Sequence, residues 1–316
     1  MRRGEGKRAG DDAASLDRAV GALLGLAIGD ALGAPVEGRE RDSYPRMTDF
    51  TGGGTYGLAA GEWTDDTAMA ICLAESLLAQ GALDEAHLLQ SFLRWYRLGE
   101  NACGGRAVGI SEKTRRVLEA FEESGSLDAA RGIANAGNGC LMRLAPLAIF
   151  HQRAPETACQ SAERQARLTH TAAEAIASAG LLAELLAAAL AGGNRAAVLA
   201  VADRAAHPSL AALAGGGYRG KERSRISSAP RALDTLEAAL WCLGRASDFE
   251  SALIEAVNLG GDSDTIGAVT GQLAGALFGA GAIPRRWIDG LHSAARIADL
   301  ARRLHARAFG AEMSIL

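Results

Sequence analysis

The stretch Gly21-Ala22-Leu23-Leu24-Gly25-Leu26-Ala27-Ile28-Gly29-Asp30-Ala31-Leu32-Gly33 carries a glycine at every fourth position. Residues i and i+4 share one face of a helix, so these four glycines form a ridge without side chains. Gly267, Gly271, Gly275 and Gly279 repeat the spacing near the other end of the chain. A glycine inside a helix costs about 1 kcal/mol relative to alanine. Close approach of a neighbouring backbone offsets that loss, so both ridges are expected to belong to central, tightly packed helices. Ridges packed in this way would bring Asp30 and Glu37, at the end of one helix, toward Asp262 and Asp264, at the start of another.

The rest of the chain supports an all-α fold. Apolar residues recur at spacings of three and four, as in Leu181, Leu182, Leu185, Leu186 and Leu190, and runs of alternating β-branched residues are nearly absent. The pattern predicts helices over roughly 16–33, 66–80, 84–97, 110–123, 127–135, 140–151, 155–164, 171–191, 194–204, 230–243, 248–258, 265–279 and 285–308. The N-terminus is basic and polar through Arg8, Asp11 and Asp12 follow, and residues 1–15 are expected to form a disordered tail. The remaining span, 16–316, has no interdomain linker and is expected to form one compact helical domain. Its longest loop, about residues 214–228, is rich in glycine and charge.

Composition narrows the function classes. The chain has a formal charge of −4 with both signs dispersed, so no basic block points to an obligatory nucleic-acid partner. The apolar run from Val20 to Ile28 is too short to span a bilayer, and the N-terminus lacks the pattern of a secretory signal. The 5 cysteines are scattered, without redox-type or metal-type pairs. The expected compartment is the cytoplasm, with no membrane partner.

Two acidic segments carry the chemistry: Glu62-Trp63-Thr64-Asp65-Asp66-Thr67 and Gly260-Gly261-Asp262-Ser263-Asp264-Thr265. Each sets two carboxylates and a threonine hydroxyl where a loop enters a helix. Aspartate and threonine at such places often serve only as caps. Two segments together, the second framed by loop glycines that let the backbone curl, point instead to a shared centre. Hard cations such as Mg²⁺ or Mn²⁺ select oxygen ligands of this kind. Clustered without a cation, the four acids would repel one another and their pKa values would rise. A site built from Thr64, Asp65, Asp66, Asp262, Asp264 and Thr265 could hold two ions a few ångströms apart.

Several motifs resemble those of the ADP-ribosylglycohydrolase family, from about residue 17 to 290 and in the expected order. They are Gly25 to Gly38 (GLAIGDALGAPVEG), Glu62 to Met69 (EWTDDTAM), Gly137 to Pro146 (GNGCLMRLAP), Leu168-Thr169-His170, and Asn258 to Gly271 (NLGGDSDTIGAVTG). The resemblance implies an all-α orthogonal helical domain with a central binuclear Mg²⁺ or Mn²⁺ cleft. It also implies hydrolysis of the glycosidic bond between ADP-ribose and an acceptor on a protein or small conjugate, with ADP-ribose as product. It makes Thr64, Asp65, Asp66, Asp262, Asp264 and Thr265 metal ligands, and matches Glu37 to a glutamate on a mobile loop near the metals. Glu37 and Asp66 are the two candidates for the catalytic carboxylate. Gly105 and Gly109 match a substrate-lining loop. Gly137-Asn138-Gly139 matches a diphosphate-binding loop at a helix start, and His170 a phosphate or ribose contact.

Two departures qualify the acceptor and the adenine side. Ala107 stands where some arginine-specific members carry an aspartate, which argues against an arginine-linked substrate. Ala229-Pro230-Arg231 replaces a Ser-Gly-Tyr, which leaves Arg231 to stack on or pair with the nucleotide. A non-catalytic descendant that still binds metal or ADP-ribose is the rival within the family, although every ligand is present. An isoprenoid-synthase type of enzyme would need aromatic surfaces for carbocations, and the chain has only 4 Trp, 4 Tyr and 7 Phe.

Overall fold

The structure, a computed structural model, describes residues 2–205 and 207–310, with side chains from residue 11 onward. Among these residues there are fourteen α-helices and no strand beyond one isolated bridge, Gly53 to Leu58. The helices are α1 (Arg2–Gly33), α2 (Asp65–Gln80), α3 (Glu85–Leu98), α4 (Glu112–Ser124), α5 (Gly139–Met142), α6 (Ala145–Phe150) and α7 (Pro155–Arg167). They continue with α8 (Ala173–Leu190), α9 (Arg195–Asp203), α10 (Ala232–Arg245), α11 (Phe249–Val257), α12 (Ser263–Phe278), α13 (Arg285–Gly290) and α14 (Ala294–Ala308). The fold is all-α, as the periodicity predicts.

The two glycine ridges pack on each other. A Cβ at Gly21, Gly25 or Gly29 would lie under 3.0 Å from the carbonyl oxygen of Gly275, Gly271 or Gly267 respectively, and the clash is reciprocal. Gly33 meets the backbone of Ser263 and Asp264 in the same way. This backbone-on-backbone seam of α1 and α12 is the axis of the molecule. Leu23, Leu26, Ile28, Ile266, Val269 and Leu273 on the flanking faces are fully buried, so burial of aliphatic surface offsets the helix weakness of glycine.

Several boundaries differ from expectation. Residue 1 and the side chains of residues 2–10 lie outside the described part, but α1 runs on through residues 11–15, and Ser15 is buried with its Oγ 3.1 Å from His305 Nε2. The helix expected over 140–151 divides into α5 and α6, because Pro146 has no N–H and its ring crowds the carbonyl four residues back. The helix expected over 285–308 breaks where Ser293 takes a left-handed φ of 49°. Residues 127–135 form turns, with Gly132 at φ 84°.

By length and composition, Asp11–Val36 and Ala173–Leu190 could each cross a membrane, a longer apolar span than Val20 to Ile28 suggested. In the fold, 94% and 67% of their apolar windows are buried inside the protein. These are core helices, and their apolar surface is already covered.

Candidate functional site

The seam sets the site. Where α1 ends, a 3₁₀ turn (Ala34–Val36) leads to Glu37. Two backbone hydrogen bonds clip this loop to the start of α12: Gly38 N to Gly261 O at 2.7 Å and Gly261 N to Arg39 O at 2.8 Å. The Arg41 side chain adds donations to the carbonyls of Leu259, Arg223 and Ile226. Glu37, Asp262 and Asp264 are thereby gathered so that one carboxylate oxygen of each lies within 4.8 Å of the others.

Asp30 organises the other half. It is fully buried and accepts from Thr64 N at 3.0 Å, Thr64 Oγ1 at 2.9 Å, Thr67 N at 3.0 Å and Thr67 Oγ1 at 2.7 Å. These are the first donors of α2. Asp30 thus does from α1 the capping work that sequence logic would give to Asp65 or Asp66. Freed from that duty, Asp65 and Asp66 turn their carboxylates into the cavity that Glu37, Asp262, Asp264 and Thr265 also line. The two acidic segments meet, in a cavity of about 550 Å³.

The electrostatics are those of buried acids held close to one another. Burial pushes the Asp65, Asp66 and Asp264 carboxyls well above the usual aspartate range, and neighbouring carboxylates add to the rise. Asp30 and Asp262 are raised by burial too, and hydrogen bonds to each pull in the opposite direction. Glu37 is pushed up to about 7, first by burial and then by Asp262. Its Oε1 accepts from the Tyr56 hydroxyl at 3.3 Å, while Oε2 is buried without a partner, as is Asp66 Oδ1. Buried oxygens left unpaired, and Glu37, Asp65, Asp66, Asp262 and Asp264 around one cavity, make a donor set suited to hard cations. Gly109, at φ 86°, forms a tight cradle wall: a Cβ there would collide with Asp65 Oδ1.

The cavity is also lined by Gly137, Asn138, Gly139 and His170. Asn138 Nδ2 donates to Asp262 Oδ2 and, at 2.8 Å, to Thr235 Oγ1, which ties this wall to the acids. The Gly137 amide donates to Asn135 Oδ1 at 3.0 Å, and the helix that follows is only four residues long. The loop therefore lacks the long helix expected behind it. Burial, with Arg143 second, depresses His170 to about 3, so its ring is neutral.

Three expected residues stand away from the lining. Thr64 lies beside the cavity with its hydroxyl donated to Asp30. Gly105 is exposed, its carbonyl packed against Gly99. Arg231 is half exposed and paired with Glu174 at 2.7 Å, which holds its guanidinium elsewhere. Sequence reasoning placed Asp30 near the acids but missed its capping role. It also missed Tyr56, and Ser111, Glu112, Lys113 and Thr114 at the start of α4, all four of which line the cavity. Ser111 is a readable N-cap, accepting from Thr114 N at 3.2 Å. That α4 would point this end at the acids was not readable.

An all-α fold whose acidic loops converge beside a glycine-walled cavity has the donor set of a protein that binds hard cations through oxygen. The sequence model described as ADP-ribosylglycohydrolase matches residues 11–312. Similar proteins include an ADP-ribosylarginine hydrolase Tri1 of Pseudomonas putida (strain GB-1), 42% identical over 93% of this chain and 79% of its own length. An ADP-ribosyl-[dinitrogen reductase] glycohydrolase of Rhodospirillum rubrum is 34% identical over 87% of this chain and 90% of its own. A solved structure titled ADP-ribosylglycohydrolase-related protein complex superposes with a TM-score of 0.83, at 42% identity, over 94% of this chain and 99% of that one. This chain belongs to the ADP-ribosylglycohydrolase family. It is a metal-dependent glycohydrolase that removes ADP-ribose from an acceptor.

Proposed function

We propose that the protein releases ADP-ribose from arginine side chains of a modified protein. In this reading Asp65, Asp66, Asp262, Asp264 and Thr265 hold two divalent cations, Mg²⁺ or Mn²⁺, in the cytoplasm. The carrying observation is that both acidic segments line one cavity in which Asp66 Oδ1 and Glu37 Oε2 are buried and unpartnered. Thr64 can join the ligands through the lone pairs of its Oγ1 while its proton stays donated to Asp30. Bound cations would neutralise the clustered acids and polarise the oxygens they touch.

Hydrolysis adds water across the C1″–N bond: the hydroxyl goes to C1″ and a proton goes to the guanidine nitrogen. Glu37, whose Oε2 is buried without a protein partner beside Asp262 and Asp264, is placed to exchange a proton with a bound ligand or water. Protonated, it can supply the departing nitrogen; ionised, it can accept from the attacking water. Asp66, with Oδ1 open toward no protein donor, is the second candidate for either role. Neutral His170 offers a ring edge to the ligand without adding charge. Glu112 in the lining offers a carboxylate to a guanidinium.

The arginine acceptor is supported by relatives 42% and 40% identical that are named ADP-ribosylarginine hydrolases. They outweigh the contrary hint of Ala107. The cytoplasmic placement is supported by five free cysteines. The test is ADP-ribose release from arginine-, serine- and nucleic-acid-linked conjugates in Mg²⁺, Mn²⁺ and excess chelator. We expect metal-dependent release from arginine, reduced at least about tenfold by Asp262→Asn, since loss of even a residue behind a ligand costs about 10–100-fold. Undiminished activity in chelator overturns the metal assignment, and release only from another linkage overturns the acceptor.

A further inference from the structure

Arg143 is completely buried and has no carboxylate partner. It sits 4.6 Å from the ring centroid of Phe92 and donates from Nε to Gln165 Oε1 at 3.0 Å. Its Nη2 donates to Thr169 Oγ1 at 2.8 Å. A buried guanidinium without an anion is expensive, which raises the question of what it accomplishes there. Thr169 Oγ1 lies 2.8 Å from His170 Nδ1, and those two are its hydrogen-bond partners among the described residues. The hydroxyl has one proton, and Thr169 is itself fully buried. With Arg143 donating to the oxygen, that proton has one acceptor within reach, Nδ1.

We propose that Arg143 and Thr169 are positioning residues that hold His170 in the tautomer protonated on Nε2, presenting that N–H to a phosphate or ribose oxygen of the bound ligand. The ring edge lies where this donor is useful: Nε2 is 3.6 Å from where a Cβ on either Gly137 or Gly139 would stand, on the cavity wall. The reverse arrangement, with Nδ1 protonated, would strand the Thr169 proton in the core and aim a lone pair at an anionic ligand. Burial and the Arg143 charge both lower the ring's basicity, so the neutral ring keeps one donor only. A positioned single donor discriminates oxygens that can accept.

The inference rests on the proposed function for its ligand, and its tautomer arm does not. Nitrogen-15 NMR of the imidazole, assigned with His170→Gln, should show Nδ1 unprotonated and Nε2 protonated at neutral pH. Thr169→Val, close in shape, should mix the tautomers and weaken binding of ADP-ribose by about tenfold, or 1.4 kcal/mol. Thr169→Ser should restore both readouts. Arg143→Met should repeat the Val result, with thermal unfolding and Mn²⁺ affinity reporting whether the fold survives. A proton on Nδ1 in the wild type, or Thr169→Val with unchanged tautomer and affinity, overturns the proposal. Wild-type protein that fails to bind ADP-ribose overturns the proposed function and the ligand assignment together, whatever the tautomer.

Discussion

A Cβ added to Gly29 would stand less than 3.0 Å from the carbonyl oxygen of Gly267, so the two central helices touch through bare backbone. The gap admits no methyl group, and rigid backbone cannot yield as a side-chain end can. Gly29→Ala would gain about 1 kcal/mol of helix propensity and lose more than that to overpacking, for which about 1–3 kcal/mol is usual. We expect a net loss and a displaced α1, which carries Asp30 and Glu37 away from Asp264. Gly220→Ala, with nothing within 4 Å of the new atom, is the control. Equal unfolding midpoints for the two variants would contradict the seam.

The Asp30 carboxylate takes four donors from the first turn of α2. Asp30→Asn keeps the shape and turns one acceptor into a donor facing a hydroxyl or amide. Hydrogen bonds to charged groups contribute about 1.5–3 kcal/mol, so we expect a stability loss of about 2 kcal/mol. Because Thr64 and Thr67 flank Asp65 and Asp66, Mn²⁺ affinity measured by calorimetry should fall as well. Unchanged stability and affinity would remove Asp30 from its organising place.

How much of this was legible depends on range. The glycine ridges and the two acidic segments are patterns within a few residues, so their spacing displays them, and four aspartates were expected together before any coordinates. Asp30 looks like one polar residue at the end of an apolar run. Its capping of a helix 34 residues away exists only after α1 and α2 pack. Arg231 misled for the same reason: its partner Glu174 is 57 positions distant, and no local pattern announces the pair. The break before Pro146 was local, and the physics of proline should have divided that helix in the reading.

Stability of the metal-free protein should fall as pH rises. The raised carboxyls bind protons in the folded state at pH values where the unfolded chain, with Asp near 3.8 and Glu near 4.5, has released them. Their contribution is fully present below those unfolded values and is lost as pH climbs through the folded ones, about 7 for Glu37. His170 works the other way, since its folded value of about 3 lies below the unfolded 6.5; its stabilisation is complete above 6.5 and lost toward acid. Measuring between about pH 7 and 8 keeps most of the histidine titration below the window and most of the titration of the buried cysteines, raised from an unfolded value of 9.0, above it. We expect the chelated protein to lose Tm across that window, at no more than about 2–4 °C per kcal/mol. Mg²⁺ or Mn²⁺ should abolish the slope, and Glu37→Gln should flatten part of it without metal. A flat or rising profile in chelator would show that the acids are not held as described.

Gly109 bears on the site without offering a ligand. Its φ of 86° disfavours any side chain, and a Cβ would collide with Asp65 Oδ1. Gly109→Ala must therefore either distort the loop or push the Asp65 carboxylate from the cavity. The helix behind Asp65 is anchored separately by Asp30, so the fold should survive with a loss of about 1–2 kcal/mol from the left-handed backbone. Metal affinity should fall by about 10–100-fold, as when a partner that orients a ligand is removed. Gly104→Ala, in the same loop with open space around the new atom, should leave both quantities unchanged. Calorimetric titration with Mn²⁺ beside thermal unfolding checks both quantities: retained metal affinity in Gly109→Ala with lowered stability would mean that the loop gives way and Asp65 stays, and equal losses in Gly104→Ala would mean general damage.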